Sequence, residues 1–138
     1  MNRKVVEFHK PGLILSKKEI FNFSKSWLEH EQNEIAESSS MSAADEALTF
    51  GAKNNPDICL DIILEICKLT NDSEILVTLG VGVLEDLMSL NGMLLESRVI
   101  EAFRENNSFK IALSSVYLTE DDDGYQMVKK LIGEYKYL

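Results

Sequence analysis

Residues 56–69 read PDICLDIILEICKL, and this stretch decides the fold. Its polar residues, Asp57, Asp61, Glu65 and Lys68, follow one another at spacings of four, four and three. This spacing places them on one narrow strip of a helix, while apolar side chains cover the rest of the circumference. A helix that is apolar nearly all round lies buried among other helices, so we predict that 56–69 is the central helix of a helical domain.

Apolar residues at helical spacing also predict helices on both sides of this segment. The first predicted helix opens with Ser16 and Glu19 in the spacing of a capping box. A polar loop is predicted over 34–41, and Gly80 and Gly82 are expected to end or bend a helix. The predicted helices cover approximately residues 16–30, 42–53, 56–69, 75–79, 83–90, 94–106 and 109–118, and a last helix that includes 128–135.

Length and composition are those of one globular domain. The chain has 138 residues, of which 45% are hydrophobic and 27% are charged, so it can bury a single core without staples. We expect one compact all-α domain over residues 16–138, with about seven or eight helices packed as antiparallel pairs. Residues 1–15, with a turn signal at Pro11-Gly12, are expected to form an extended arm or a short hairpin.

The charge balance is strongly acidic, because 14 Lys and Arg residues stand against 23 Asp and Glu residues, a net charge of −9. Residues 31–108 hold fifteen acidic and four basic side chains, whereas residues 1–30 hold three acidic and six basic ones. Such a chain is a poor candidate for binding nucleic acid through phosphate contacts. Two interpretations stay open, a solvated acidic surface and a face shaped for a basic partner.

Two acidic clusters and several tyrosines are the candidate contact residues for such a partner. The strip on the central helix is either a solvent-exposed edge or part of an acidic contact surface. The tyrosines are either partly buried rings packed on a helix or interface anchors, a role in which tyrosine is enriched. The candidates are Asp57, Asp61 and Glu65 on the strip, Asp121, Asp122 and Asp123 in the turn before the last helix, and Tyr125, Tyr135 and Tyr137.

Motifs of catalysis and of metal binding do not occur. No CxxC, HExxH or EF-hand pattern is found, and Asp121-Asp122-Asp123-Gly124 lacks the alternating acids of a calcium loop. Gly80-Val81-Gly82 is not followed by a phosphate-binding lysine. We therefore expect no enzyme activity, no cofactor and no metal.

The two cysteines, Cys59 and Cys67, stand eight residues apart in one predicted helix, about 12 Å along its axis, which is too far for a disulfide. Both are expected to fill core space as reduced thiols, which favours the cytoplasm. The first residues lack the pattern of a signal peptide, and no stretch is apolar enough to span a membrane, so no membrane contact is expected.

One motif resembles a known family. The run Gly82-Val83-Leu84-Glu85-Asp86-Leu87-Met88, followed by Asn91-Gly92, resembles small bacterial helical domains of unknown function with a Gly-Pro-Leu-Glu-Asp-Leu-Leu core and a downstream His-Gly. Trp27, Pro56 and the segment 109–117 match further features of that family, and the resemblance covers about residues 20–118. The chain departs from the pattern at two positions, where it has Val83 for Pro and Asn91 for His.

The resemblance, together with the small size and the acidity, implies an immunity protein of a contact-dependent growth-inhibition or other polymorphic toxin system. Such proteins bind a cognate toxin domain in the cytoplasm and block its active site, and many of these toxins are basic nucleases. We therefore expect a monomer or weak dimer that binds a basic ribonuclease toxin domain. The alternative is an acidic helical adaptor or regulatory module with another basic partner.

Overall fold

The computed structural model describes residues 8–33 and 43–136, with side chains for 8–33 and 44–133. Within these ranges there are helices and connecting turns and no strand, which confirms the predicted all-α fold. The predicted loop over 34–41 lies outside the described residues. In chain order the helices are α1 (Lys17–Asn33), α2 (Ala43–Asn54), α3 (Pro56–Leu69), α4 (Ser73–Leu79), a π-helical turn (Gly80–Leu84), α5 (Glu85–Asn91), α6 (Glu96–Glu105), α7 (Asn107–Ser114) and α8 (Tyr125–Lys136).

Helix α3 is the centre of the molecule, as its apolar pattern predicts. α1, α2, α5 and α7 all pack against it. Pro56 occupies its first turn, where no intrahelical N–H bond is lost. The side chains that α3 buries occupy one broad face of the helix, narrower than the pattern predicts because Leu64 is only partly buried and Leu69 is exposed. The buried residues are Cys59, Leu60, Ile62, Ile63, Ile66 and Cys67.

The N-terminal part of the chain packs onto this centre. The predicted capping box is confirmed, because the Glu19 N–H donates to Ser16 Oγ at 3.1 Å and the Ser16 N–H donates to Glu19 Oε1 at 3.0 Å. Trp27 and Leu28 of α1 are buried, as their spacing predicts. Ahead of α1, Phe8 is fully buried, and its ring lies 5.3 Å from that of Phe23.

Asn55 fixes the turn between Phe8 and α1. It is only 6% exposed, and its amide donates to the carbonyls of Phe8 at 3.2 Å and Lys10 at 2.8 Å. Its Oδ1 accepts from the Leu13 N–H at 2.9 Å. The residue therefore begins α3 and also satisfies three backbone groups of the N-terminal segment, so a polar side chain can be buried there at little cost.

The segment over residues 73–91 differs from the prediction. The sequence predicted two helices divided at Gly80 and Gly82, but α4 continues through the π-helical turn into α5 without a break. Gly80 is needed for packing and not for a break, since a Cβ there would lie 2.1 Å from the Ala112 carbonyl oxygen of α7. α4 begins at Ser73, two residues before the predicted range, because Asp72 caps the N–H groups of Glu74 and Ile75.

Two predictions about the C-terminal half were wrong. Leu94, expected on the buried face of a helix, is 68% exposed, because α6 begins only at Glu96 and the preceding residues form turns. α7 ends at Ser114, whereas the prediction extended it to Leu118. The segment that follows α7 instead runs in non-helical form to the turn before α8.

The end of α5 crosses the beginning of α8 at two glycines. Gly92 occupies the C-cap position of α5, and its φ of −57° is open to any residue. Glycine is required there by close approach, since a Cβ would lie 2.5 Å from the Gly124 Cα. This crossing fixes the turn before α8 against the end of α5.

None of the helices in the described ranges combines the length and the apolar character needed to cross a bilayer.

Candidate functional site

The acidic strip of α3 faces a cation from another helix, which the sequence of α3 alone does not reveal. Arg98 of α6 lies across the strip, with its guanidinium in contact with the Asp61 carboxylate and 3.6 Å from that of Asp57. The same guanidinium donates to the Asp57 carbonyl oxygen at 3.4 Å. Glu65 lies 4.0 Å from the ammonium of Lys68. Two cations thus stand among three carboxylates, which leaves the strip much less negative than its sequence suggests.

Exposure along this strip falls from one end to the other. The side chain of Asp57 is 73% exposed, that of Asp61 is 35% exposed and that of Glu65 is 25% exposed. Of the three predicted contact residues here, Asp57 is therefore the most accessible to a partner. Their role in binding stays a prediction.

The acidic turn before α8 is tied to the rest of the fold by hydrogen bonds. Asp122 accepts from the Ser89 hydroxyl at 2.6 Å and from the Thr119 N–H at 2.7 Å. Asp123 accepts from the Met93 N–H at 2.8 Å. These two carboxylates thus accept hydrogen bonds from α5, from the turn that follows it and from their own turn.

The hydrogen bonds to Asp122 lower the pKa of its carboxyl group. The Ser89 hydroxyl and then the Thr119 N–H hold the pKa of Asp122 below its ordinary value of 3.8, because both groups stabilise the ionised carboxylate. Of the three predicted contact aspartates, Asp121 remains fully turned to solvent, next to the exposed Glu120. These two side chains form the free acidic part of the turn.

Glu85 and Asp86, at the centre of the sequence motif, do not cap a helix end, since the helix runs on through Leu84. Glu85 instead accepts from the Tyr117 N–H at 2.8 Å and so holds the segment after α7. Burial, and then the neighbouring Glu85 charge, raise the pKa of Asp86. Glu85 therefore holds the segment after α7 in place, and Asp86 is a partly buried carboxylate.

Tyr125 lies in an apolar groove between α8 and the segment after α7. The groove has a volume of about 370 Å³. Tyr117, which the sequence reasoning did not single out as an anchor, is 77% exposed and lines the same groove. Tyr135 and Tyr137, the other predicted anchors, have side chains outside the described residues. The lining residues are Val116, Tyr117, Leu118, Tyr125, Val128, Lys129, Ile132 and Gly133.

A second cavity of about 410 Å³ lies between α3 and α6, and its charged lining residues are Lys68, Arg98, Glu101 and Glu105. Its mixed charges favour neither an anion nor a cation.

The cysteines are free and buried, and burial raises the pKa of Cys67 to about 12 and that of Cys59 further still, so neither thiol is a ready nucleophile. Across the residues whose placement is described, no group of three His, Cys, Asp or Glu side chains is arranged to hold a metal ion.

Comparison with known proteins places the chain in a family without giving it an activity. No curated protein and no solved structure matches it. Residues 30–134 match a family described as "Family of unknown function (DUF6869)". That stretch includes every helix from α2 to α7, both acidic clusters and all of the residues that line the groove. Because the match spans well over half of its length, the chain belongs to the DUF6869 family.

Proposed function

We propose that this protein acts by binding a basic protein partner, and more specifically that it is an immunity protein. In this role it binds the basic ribonuclease domain of a cognate toxin in the cytoplasm and blocks its active site. No chemistry on the partner is required, because occupancy of the active site is sufficient for inhibition. The protein binds as a monomer or weak dimer.

The observation that carries the proposal is the excess of negative charge, −9 over 138 residues. Opposite charges on two proteins accelerate their encounter, and the gain falls as salt rises. The exposed carboxylates of Asp57, Glu120 and Asp121 are available for such an encounter. The tyrosine-lined groove supports the proposal independently, since buried aromatic contacts are what slow dissociation in protein complexes.

The test begins with capture of the partner from the native host at moderate salt, followed by mass spectrometry. A captured basic domain is then expressed alone and together with this protein. We expect growth arrest in the first case and normal growth in the second, with purified protein inhibiting cleavage of RNA by the domain. A captured housekeeping protein without toxicity would favour the adaptor alternative, and a toxin that this protein does not suppress would contradict the immunity role.

Electrostatic steering of association is tested separately, with the purified partner. Reversal of the free acids of the turn, E120K together with D121K, is expected to slow association at least severalfold and to flatten its dependence on salt. E101K together with E105K, two exposed residues of α6, is the matched double reversal at another site. Asp122 is left intact because its hydrogen bonds hold the turn. Association rates that do not change in the double variant would remove electrostatic steering at this turn.

A further inference from the structure

The groove beside α8 combines three features that together suit one kind of side chain. Its walls are mainly aliphatic, with Val116 and Leu118 on one side and Val128 and Ile132 on the other. Such a surface buries the alkyl stem of a long side chain. Its volume of about 370 Å³ holds one arginine or lysine side chain with space left over.

Aromatic rings give the groove a preference for positive charge. Tyr117 and Tyr125 both line it, and the face of an aromatic ring attracts cations. The structure already shows this attraction, since the ammonium of Lys129 lies over the Tyr125 ring, 5.4 Å from its centroid. An external arginine is the stronger competitor for this position, because its planar guanidinium stacks on the ring as well.

Two exposed acids lie in the segment that connects the two walls of the groove. The two wall segments are joined by residues 119–124, and within this connection Glu120 and Asp121 are exposed. Asp122 and Asp123 are occupied by the hydrogen bonds of the turn and contribute little to a new contact. The segment that joins the two walls thus carries two exposed carboxylates, whose charge favours a cation over an anion near the groove.

We propose that this groove is the anchor site for a partner's arginine side chain, which inserts its stem between α8 and the 116–118 segment and takes the place of Lys129 on the Tyr125 ring. That the arginine comes from a basic toxin domain rests on the function proposed above. The preference of the groove for an arginine does not depend on it. In this arrangement Lys129 is an internal competitor that covers the ring until the partner binds.

The probe is the peptide acetyl-Gly-Arg-Gly-amide, titrated into the full chain in moderate salt while backbone amide shifts are followed by NMR. Its control is the same peptide with citrulline, which keeps the shape of arginine and lacks the charge. We expect saturable shifts at Tyr117, Tyr125 and Gly133 with millimolar affinity, at least about threefold tighter for arginine than for citrulline. Moderate salt screens diffuse attraction to the acidic surface.

Two pairs of variants separate the groove from the general charge. At Gly133 a Cβ would meet nothing within 4 Å, so G133L fills the groove without a clash, and G82L makes the same change at an open position outside the groove. G133L is expected to abolish the local shifts, while G82L keeps them. K129Q is expected to tighten binding about two- to fivefold by freeing the ring, whereas K130Q, with the same change in charge, is expected to have little effect.

The proposal would be overturned by equal binding of the arginine and citrulline peptides, by shifts spread over the acidic surface, or by unchanged binding in G133L. These outcomes concern a peptide and this chain alone, so they leave the immunity role standing. Conversely, peptide binding in the groove with no toxin in the host would refute the proposed function and keep the anchor site.

Discussion

The acidic strip of α3 and the acidic turn before α8 are both clusters of carboxylates, but they have different surroundings. On the strip, Asp57 and Asp61 face the guanidinium of Arg98, so their partner is a charged side chain. In the turn, Asp122 and Asp123 accept from a hydroxyl and from backbone N–H groups. The strip is thus a partly exposed ion-pair cluster, whereas the turn is a hydrogen-bonded joint between two helices.

The difference shows why a run of acids does not by itself mark a contact surface. Carboxylates in the joint are needed for the fold and are unavailable to a partner. Carboxylates on the strip are accessible, but binding through them must compete with Arg98. The free acids near the groove, Glu120 and Asp121, remain the best placed to attract a basic protein, and they come from the same short run as the joint.

The strongest test of the joint is substitution at the glycine crossing that supports it. In G92A the new Cβ would lie 2.5 Å from the Gly124 Cα and 2.7 Å from the Met88 carbonyl oxygen, and both are backbone atoms that cannot rotate away. We expect a loss of about 2–4 kcal/mol of unfolding free energy, measured by urea denaturation. Loss of the Met93 N–H bond to Asp123 should accompany it, visible as faster amide exchange there.

G133A is the matched control for this substitution. Its Cβ meets nothing within 4 Å, and alanine in a helix is favoured over glycine by about 0.5–1 kcal/mol, so this variant should be as stable as the parent or more so. If G92A were as stable as G133A, the two helices would be able to separate at the crossing. The joint would then be much looser than the structure shows.

The second prediction concerns the Asp122 carboxylate and its dependence on pH. Because its hydrogen bonds lower the pKa in the folded state, its stabilisation is present above the ordinary value of 3.8 and is lost as the pH falls through the folded value. D122N should therefore melt below the parent protein at neutral pH, and the two should converge as the pH falls through the folded-state pKa of Asp122.

D121N is the control in the same turn, with the same change in charge at an exposed side chain. Its melting temperature should follow that of the parent across the whole pH range, apart from the small general effect of reduced net charge. A D121N variant that lost as much stability as D122N would show that the turn responds to total charge rather than to the particular bonds of Asp122.

Much of the fold follows from the sequence because its signals are local. The spacing of Asp57, Asp61 and Glu65 predicts the bounds and burial of α3, and the pair Ser16 and Glu19 predicts the start of α1. The prediction that the helix is interrupted at Gly80 was wrong because the outcome there depends on a contact that is distant in sequence. Whether a glycine breaks a helix or allows close packing depends on Ala112, which is far along the chain.

The site was harder to predict for the same reason. Asp61 and Arg98 are 37 residues apart and Ser89 and Asp122 are 33 apart, so no local pattern pairs them. Tyr117 was missed because α7 was predicted to continue to Leu118. The end of that helix at Ser114 is what frees the 116–118 segment to form a wall of the groove.

The third prediction measures the ion pair on the strip with a double-mutant cycle. The side chains of Arg98 and Asp61 are 40% and 35% exposed, so solvent and salt screen their attraction. The coupling energy between R98A and D61A should be below about 1 kcal/mol and should shrink in higher salt. A coupling of about 3 kcal/mol would instead make the strip as much a structural joint as the turn.

The smallest expected effect is at Asp86, whose carboxylate belongs neither to the ion-pair strip of α3 nor to the hydrogen-bonded turn before α8. Burial, with the Glu85 charge, raises its folded-state pKa, so the folded protein binds the proton more tightly than the unfolded chain between the ordinary value of 3.8 and the raised one. Ionised Asp86 therefore lowers stability as the pH rises through that window. Because the group is only partly buried, D86N should raise the melting temperature by about 1–2 °C at neutral pH, and the gain should vanish near about pH 3. A melting temperature that falls in D86N would mean that the charge itself stabilises the fold, and Asp86 would then join the carboxylates of the joint.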